Sequence, residues 1–409
     1  MADRSPRIVL APDSFKESLT AREAVAAMAR GVREAAPDAE VVELPMSDGG
    51  EGFIVCVASG LGARVREVEV SDALGRPTAA RIAVAGRLVA LDVASAVGLE
   101  AVAPDARDVM AASSRGVGEL IRAALDALEP ALTCGDADVG SAQIGDAQPC
   151  GDEGASAPRL VIGLGGSATN DGGAGMLAAL GVRLLDDDGA ELDGSPASLR
   201  MLATVDASGL DPRLAHVQVE AASDVSAPLC GEAGASAVFG PQKGASDGQV
   251  RELDGLLEKL ARCAADAGAC APDTARRPGA GAAGGIGWAL LALCGAAMRP
   301  GVEVVAEAVG LEAACRGADL VLTGEGSVDA QTLAGKVPAG VAAVAARAGV
   351  PCVVLAGRVG EGADALLDAG ATRIVGITPD GTPTDEALAR AAENLRAMTR
   401  AVVADLLRD

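Results

Sequence analysis

Residues 162–175 combine six glycines with a serine, an asparagine and an aspartate, between an apolar run and an apparent helix. Glycine allows positive φ and close approach of a ligand to the backbone, and the N-terminus of the following helix offers unpaired N–H groups. The pattern is typical of an anion-binding loop. The chain contains 53 glycines, so an ordinary glycine-rich turn is the competing interpretation.

Four further segments place glycines beside carboxylates, amides or a lysine. They are residues 11–18, 45–52, 239–244 and 323–331. Binding residues are often carried by loops, and several loops together can line one cleft. The sequence therefore predicts a binding cleft assembled from loops that are distant along the chain.

Lysine is rare in this chain, in which arginine is the usual cation. Only Lys16, Lys243, Lys259 and Lys336 occur among 34 basic residues. Three of them lie in or just after the segments above, whereas Lys259 lies in a helical pattern and is predicted to be a solvated surface residue. A compact ammonium group on a flexible stem suits anion binding. We therefore expect Lys16, Lys243 and Lys336 to face anionic groups.

The composition excludes several classes of function. A formal net charge of −23 argues against binding to nucleic acid or to anionic membranes, since both require a basic face. No stretch approaches the length of a transmembrane helix, and the N-terminal residues lack a signal-peptide pattern. Nine scattered cysteines without a Cys-x-x-Cys pair, and a single histidine, disfavour a zinc site and a Ser-His-Asp triad. We expect a cytoplasmic protein. The sequence leaves its oligomeric state open, and a homo-oligomer is one of the alternatives.

Both ends of the chain predict an open α/β sheet. Short apolar runs at 8–11, 41–44, 320–323, 352–356 and 373–378 alternate with helical patterns. The first three runs lead into loops that carry acids or a lysine. Ligands of open α/β sheets bind at the carboxyl ends of the strands, so these loops are expected to contribute to one site.

The middle of the chain shows a different pattern of apolar runs and turns. Runs at 64–70, 80–85 and 88–94 are short and joined by tight turns, which favours antiparallel strands. The predicted fold class is α/β: a Rossmann-like, doubly wound parallel domain built from both chain ends (1–70 and 300–409), plus an inserted mixed α/β domain (71–299). Residues 133–157 are rich in glycine, aspartate, serine and alanine and have no basic residue, and we predict a disordered surface insertion there.

The remaining motifs favour phosphoryl transfer. The chain has no Gly-x-x-x-x-Gly-Lys-Ser/Thr motif, and no dinucleotide-binding fingerprint can be assembled. The loops instead supply lysines for anions, carboxylates for Mg²⁺ or for a base, and glycines for phosphates. Catalysis of phosphoryl transfer consists mostly of positioning and charge neutralisation, which these groups provide.

Seven ordered motifs resemble those of the bacterial glycerate kinases of the glycerate 2-kinase type. They are residues 11–18, 48–52, 114–116, 165–173, 239–244, 278–285 and 324–331. The resemblance covers nearly the whole chain outside 133–157. It implies a Rossmann-like domain and a second domain of different fold, with catalysis in the cleft between them. It also implies ATP-dependent phosphorylation of D-glycerate, at the 2-hydroxyl, to give 2-phosphoglycerate.

Alternatives remain open at this stage. The segment 163–167 echoes the glycine loop of homoserine and mevalonate kinases, although the other six motifs do not fit that class. A small-molecule kinase of another hydroxy acid, or a non-catalytic metabolite-binding protein on the same fold, would carry the same cleft.

The resemblance and the residue types together suggest specific roles. Catalytic roles are expected for Lys16, Asp48, Asn170 and Asp171. Binding of substrate or ATP is expected for Ser14, Arg115, Gly165, Gly166, Ser167, Lys243, Gln331 and Lys336. Mg²⁺ is expected at carboxylates among Asp48, Glu51, Glu325 and Asp329. The base must be an acid, with Asp171 or Asp48 preferred, because histidine is nearly absent.

Two residues depart from the motifs that such kinases usually carry. Ala227 stands where asparagine is usual, and Ser327 stands where arginine is usual. Loss of a cation beside an anionic substrate weakens binding unless another cation replaces it. Our hypothesis is that Arg358, which follows the apolar run 352–356, supplies this charge from another loop.

Overall fold

The structure is a computed structural model that describes residues 4–50, 52–133, 157–379 and 381–406. The side chains of residues 133, 331 and 334 are not described. Apart from its two end residues, the insertion predicted over 133–157 lies outside the described residues, and so does Glu51. None of the helices in the described ranges is both long and apolar enough to cross a membrane.

The described residues form strands and helices throughout both halves of the chain. The strands are β1 (Arg7–Leu10), β2 (Glu40–Glu43), β3 (Arg64–Ser71), β4 (Pro77–Ala85), β5 (Leu88–Asp92), β6 (Arg159–Gly163), β7 (Arg183–Leu185), β8 (Thr204–Asp206), β9 (Gln218–Ala222), β10 (Ala297–Arg299), β11 (Leu320–Val328), β12 (Cys352–Val359) and β13 (Arg373–Gly376). The helices are α1 (Ala21–Ala35), α2 (Phe53–Leu61), α3 (Ala94–Val97), α4 (Arg115–Thr133), α5 (Ala174–Ala179), α6 (Pro196–Leu199), α7 (Ala235–Phe239), α8 (Asp247–Asp266), α9 (Ile286–Leu293), α10 (Gly301–Ala308), α11 (Leu311–Cys315), α12 (Val337–Arg347), α13 (Ala365–Asp368), α14 (Thr384–Ala389) and α15 (Ala391–Leu406).

The chain divides into two compact units. The first comprises Met1–Ala63, Ala222–Asp224 and Arg299–Asp409, and the second comprises Arg64–Ala221 and Val225–Met298. The domain boundaries expected from sequence, at 70/71 and 299/300, stay a prediction.

The first unit contains a five-stranded sheet in the order β13-β12-β11-β1-β2, in which every pair is parallel. Strand β1 pairs with β2 on one side and with β11 on the other, so the direction of winding reverses between β1 and β11. Ligands of doubly wound sheets bind outside the carboxyl ends of the strands at such a reversal. The predicted α/β class, with strands contributed by both chain ends, is confirmed.

Both faces of this sheet are buried at its three central strands, β11, β1 and β12. Ile8 and Leu322 belong to a core formed with α1 and α15, whereas Val9 and Val321 alternate with them along the strands and are also fully buried. Helix α12 contacts β11 and β12. Burial on both faces explains why these strands are continuous apolar runs rather than alternating ones.

Helix α1 begins at the capping box that the sequence predicts. The Glu23 N–H donates to Thr20 Oγ1 (3.3 Å), and the Thr20 N–H donates to the Glu23 carboxylate (2.9 Å). Such N-caps stabilise a helix by about 0.5–2 kcal/mol. The cap fixes the point at which the loop after β1 ends.

The second unit contains a six-stranded sheet in the order β10-β9-β6-β5-β4-β3 and a two-stranded sheet of β7 and β8. Strands β3, β4 and β5 are antiparallel, as the sequence predicts for this region, and β5 pairs with β6 in parallel. Trp288 of α9 and Leu120 of α4 are fully buried in its core.

Candidate functional site

A cavity of about 910 Å³ lies within the first unit at the carboxyl ends of its parallel strands. Residues that follow β1, β2 and β13 line it together with the carboxyl-terminal parts of β11 and β12. Its position is the reversal of winding at which a doubly wound sheet binds ligands. The volume is in the range of small-molecule sites, and far exceeds that of a three-carbon acid.

Asp13 is the most perturbed carboxyl group of this cavity. It lies in the loop after β1, is 8% exposed, and accepts the Ser14 N–H at 2.6 Å. Burial, and then the charges of Asp48 and Glu325, raise the pKa of Asp13 to about 8, although the Ser14 N–H and Lys16 act in the opposite direction. An acid with a pKa near the working pH is suited to proton transfer.

Glu325 lies at the same edge, in β11. One of its oxygens, Oε1, accepts the Thr332 hydroxyl (3.0 Å) and faces the Lys336 amine (3.4 Å). Burial raises the pKa of Glu325, and the Lys336 charge and the Thr332 hydroxyl partly offset this. Lys336 therefore holds a buried carboxylate inside the cavity wall.

Asp224 is another under-satisfied acid of the first unit. Its Oδ1 accepts the Gly301 N–H (3.1 Å), whereas its buried Oδ2 has no hydrogen-bond partner among the residues that the structure describes. Burial, followed by the charge of Asp48, raises the pKa of Asp224 to about 7. The segment Ala222–Asp224, which belongs to this unit, brings the carboxyl group here from the middle of the chain.

The structure brings together five of the residues expected from sequence in the first unit. Ser14, Lys16, Asp48, Glu325 and Lys336 all line the one cavity. Sequence reasoning did not select Asp13 or Asp224. Asp13 lies in one of the seven motifs and just after a predicted strand, and this position could have identified it as a site residue. Its burial could not be predicted, because it depends on residues far along the chain.

The structure places only some of the expected metal ligands at the cavity. Asp48 and Glu325 line the cavity, whereas Asp329 is not part of its lining and its N–H donates to Thr332 Oγ1 (3.1 Å). Glu51 lies outside the described residues, and the side chain of Gln331 is not described. Within the described ranges, no group of three or more histidines, cysteines and acids could hold a metal ion.

Asp171 occupies the centre of the glycine-rich loop in the second unit and is fully buried. Its carboxylate accepts hydrogen bonds from the Ser114 N–H and hydroxyl (both 2.7 Å), from the Gly173 N–H (3.0 Å) and from the Gly175 N–H (3.2 Å). Burial raises the pKa of Asp171, and these four bonds oppose the rise. This is the geometry of a brace between two loops, because both oxygens are already engaged. The expected catalytic role of Asp171 stays a prediction that this geometry does not favour.

The anion at the N-terminus of α5 is therefore a carboxylate of the protein itself. Gly173 and Gly175 donate to Asp171, and the next N–H, that of Met176, donates to the Ser114 hydroxyl (2.9 Å). These N–H groups are the ones that the sequence interpretation assigned to a bound anion. The Asp171 carboxylate takes that place in the structure.

Close packing accounts for several glycines of this loop. A Cβ at Gly172 would lie 2.8 Å from a Leu260 methyl group, and one at Gly284 would overlap the carbonyl oxygen of Thr169. The Gly172 N–H donates to the Gly284 carbonyl (3.0 Å), which joins two of the seven motifs. Gly166 differs, because a Cβ there would have only Ala94 within 4 Å.

Lys243 is also internal to the second unit. It is 3% exposed, and its amine donates to Ser167 Oγ (3.1 Å) and to the Thr169 carbonyl (2.6 Å). Burial lowers its pKa to about 7, against the opposing charge of Asp171. Its amine therefore ties the glycine-rich loop to the turn Pro241–Lys243.

The other expected residues of the second unit lie around this loop. The Asn170 amide donates to Ser236 Oγ (2.8 Å), whereas Asn170 Oδ1 and Thr169 Oγ1 are buried without partners among the described residues. Arg115 is half exposed and pairs with Glu119 one turn further along α4 (3.2 Å). Gly165 and Gly166 lie at the more exposed start of the loop. Their binding roles stay predictions.

The structure gives geometric support to the hypothesis about Arg358. Ser327 and Arg358 are directly paired residues of the parallel strands β11 and β12, and both line the cavity. Adjacent parallel strands are about 4.8 Å apart, so a cation at either position is presented to the same region.

These features define an α/β protein with a ligand cavity at the winding reversal of a parallel sheet, lined by acids and cations. The comparisons with known proteins agree. Residues 8–407 match the model of the glycerate kinase family, and the chain belongs to this family.

Similar proteins cover nearly the whole chain. It is 41% identical over 403 residues to a glycerate kinase of Bacillus subtilis (98% of this chain, 97% of that protein). It is 39% identical over 402 residues to a glycerate 2-kinase of Escherichia coli (98% of each chain). Among solved structures, a Salmonella typhimurium LT2 protein assigned as glycerate kinase 2 superimposes with a TM-score of 0.80 at 41% identity, covering 99% of each chain.

Proposed function

We propose that the protein is an ATP-dependent kinase that phosphorylates D-glycerate at the 2-hydroxyl group to give 2-phosphoglycerate. The family and the names of its relatives support the reaction. The observation that carries the residue assignment is the cavity of the first unit, in which Asp13 is buried beside Asp48 and Glu325.

Asp13 is the proposed base. The 2-hydroxyl oxygen attacks the γ-phosphorus of ATP, the bond from this phosphorus to the β–γ bridging oxygen breaks, and ADP leaves. The hydroxyl proton passes to the ionised form of Asp13, which becomes populated as the pH approaches the raised pKa of about 8. A positioned base contributes about 10²–10⁴-fold to such a reaction. Asp13 replaces Asp171 in this role, because the Asp171 carboxylate already accepts four hydrogen bonds.

The cations of the cavity have separate proposed roles. Lys16 follows β1 on the same loop as Asp13 and would contact the transferred phosphoryl group. Lys336 holds Glu325 in place through their 3.4 Å contact. An ammonium beside a phosphate stabilises charge that moves during the transfer.

Mg²⁺ fits the donor set of the cavity. Asp48 and Glu325 present carboxylate oxygens, and their charges already raise the pKa of Asp13. Mg²⁺ is usually held by one or two carboxylates, with substrate phosphates and waters as its other ligands, so a three-residue cage is not required. When bound, the ion would neutralise phosphate charge and the negative charge beside Asp13. We assign Asp48 and Glu325 as the residues that would hold it.

The reaction is tested by ³¹P NMR of the purified protein incubated with MgATP and D-glycerate. We expect ADP and 2-phosphoglycerate to appear together. Parallel incubations with L-glycerate and D-lactate test the alternative of a kinase for another hydroxy acid. Absence of ADP formation with D-glycerate would reject the enzyme assignment. Formation of 3-phosphoglycerate alone would retain the kinase and reject the 2-hydroxyl as acceptor.

A further inference from the structure

The cavity of the first unit changes character across the sheet. At the β13 end the described wall is uncharged: it includes the apolar residues Ile377, Ala387 and Leu388 beside three threonines, Thr378, Thr382 and Thr384. At the β1 and β2 end the wall includes Asp13 and Asp48. The order β13-β12-β11-β1-β2 separates these ends by four strand spacings, or about 19 Å. A ligand bound along this edge is therefore offered two chemically different ends.

Arg358 lies between the two ends, on β12. Its side chain is exposed and, within the part of the chain that the structure describes, has no hydrogen bond or ion pair. Lys336 in the same cavity differs, since it faces Glu325. A cation without a protein partner, in a chain with a net charge of −23, is available to an anionic ligand.

We propose that the nucleotide lies along this edge in one orientation, with its base against the apolar wall at the β13 end and its polyphosphate beside Arg358. The terminal phosphate then points toward the acidic end. This inference rests on the proposed function and assigns one half of its cavity.

The opposite orientation has no comparable support. It would place the polyphosphate on the apolar wall of Ile377 and Leu388, and the base among the carboxylates of Asp13 and Glu325. Apolar walls bury planar ligand groups, whereas the guanidinium fork of arginine matches phosphate oxygens. Both preferences select the same orientation.

Binding measurements without glycerate test this orientation. A fluorescent methylanthraniloyl-ADP is displaced by ADP, adenosine or tripolyphosphate from the parent protein, Arg358→Gln and Ala387→Trp. The matched control is Arg373→Gln, because Arg373 lies at the opposite, amino end of the adjacent strand and pairs with Asp405. Circular dichroism checks the fold of each variant.

We expect Arg358→Gln to weaken the binding of ADP and of tripolyphosphate about ten-fold to a hundred-fold, the loss expected for a charge-assisted hydrogen bond. The affinity for adenosine should not change. Ala387→Trp should weaken the binding of ADP and of adenosine and leave the affinity for tripolyphosphate unchanged. Arg373→Gln should match the parent. The double variant Ser327→Arg with Arg358→Ser should recover ADP binding, because the two positions are paired across the strands.

Unchanged ADP affinity in folded Arg358→Gln would overturn the proposal. So would adenosine binding that Ala387→Trp does not affect, because the base would then lie elsewhere. A parent protein that binds ADP but does not phosphorylate D-glycerate would reject the proposed function and leave this orientation standing.

Discussion

The cavity in the first unit and the glycine-rich loop around Asp171 have similar sequences, since each combines glycines, acids and a lysine. They differ in how completely their acids are hydrogen bonded. Asp171 accepts four hydrogen bonds, whereas Asp13 accepts one and Asp224 Oδ2 has none among the described residues. The Asp171 carboxylate is therefore engaged within the protein, whereas Asp13 lines the cavity with most of its hydrogen-bonding capacity unused.

The lysines repeat this contrast. Lys243 is enclosed by Ser167 and the Thr169 carbonyl in the second unit, whereas Lys16 and Lys336 line the open cavity of the first. Lys243 therefore stabilises a loop, Lys336 holds Glu325 in the cavity wall, and Lys16 is the lysine that remains available to a ligand. Similar motifs therefore support different roles in the two units.

The largest expected effect separates Asp13 from Asp171. Asp13→Asn should lower kcat by about 10²–10⁴-fold while the protein stays folded, because it removes the proposed base from a cavity wall. Asp171→Asn replaces an acceptor of four hydrogen bonds with a group that cannot accept them all, so it should lower the melting temperature. Steady-state kinetics and circular dichroism measure the two effects. Near-parent kcat in Asp13→Asn, or a folded and inactive Asp171→Asn, would reverse the assignment.

The next prediction compares two lysines of the second unit. Lys243→Met leaves Ser167 and the Thr169 carbonyl without their buried donor, so it should lower the free energy of unfolding by about 1–3 kcal/mol. Lys259 is partly buried on the surface of α8 and donates to the Arg200 carbonyl (2.8 Å). Because this bond is not enclosed in the core, the free energy of unfolding of Lys259→Met should stay within about 0.5 kcal/mol of the parent value. Urea unfolding measures both values. A Lys243→Met protein of parent stability and low activity would instead support the phosphate contact expected from sequence.

The sequence predicts the elements and the gathering of several site residues. The capping box of Thr20 and Glu23 and the apolar strands are local signals, and they appear where expected. Lys16, Asp48 and Glu325 meet because parallel strands present their carboxyl ends at one edge. These inferences need no knowledge of long-range packing.

The remaining features depend on contacts between distant residues. Asp171 and its donor Ser114 are 57 residues apart, so no local pattern shows that this carboxylate is engaged. The raised pKa of Asp13 depends first on burial and then on the charges of Asp48, from the loop after β2, and of Glu325, from β11. A motif gives the types of the residues, but burial and hydrogen bonding decide whether an acid braces a loop or faces a ligand.

The smallest expected effect is the pH dependence that Asp13 gives to the free energy of unfolding. The pKa of Asp13 is about 8 in the folded protein, above its ordinary value of 3.8. Between these pH values the folded state keeps a proton that the unfolded state has lost, so the free energy of unfolding falls as the pH rises through this window. Below about pH 4 both states are protonated and the effect disappears. Asparagine does not ionise, so Asp13→Asn lacks this loss of stability.

Melting temperatures of the parent and Asp13→Asn should therefore diverge between pH 5 and pH 8. By pH 8 the variant should melt higher than the parent, by about 1 °C for each 1 kcal/mol of stability in a chain of 409 residues. Asp72→Asn is a control of opposite sign: burial raises the pKa of Asp72, but hydrogen bonds from Arg76 and Leu74 lower it overall. Its contribution to stability is present above its ordinary pKa, so this variant should melt below the parent throughout the same pH range. A difference for Asp13→Asn that stays constant or shrinks as the pH rises would show that Asp13 is not held protonated by its surroundings. The contrast with Asp171 would then lose its physical basis.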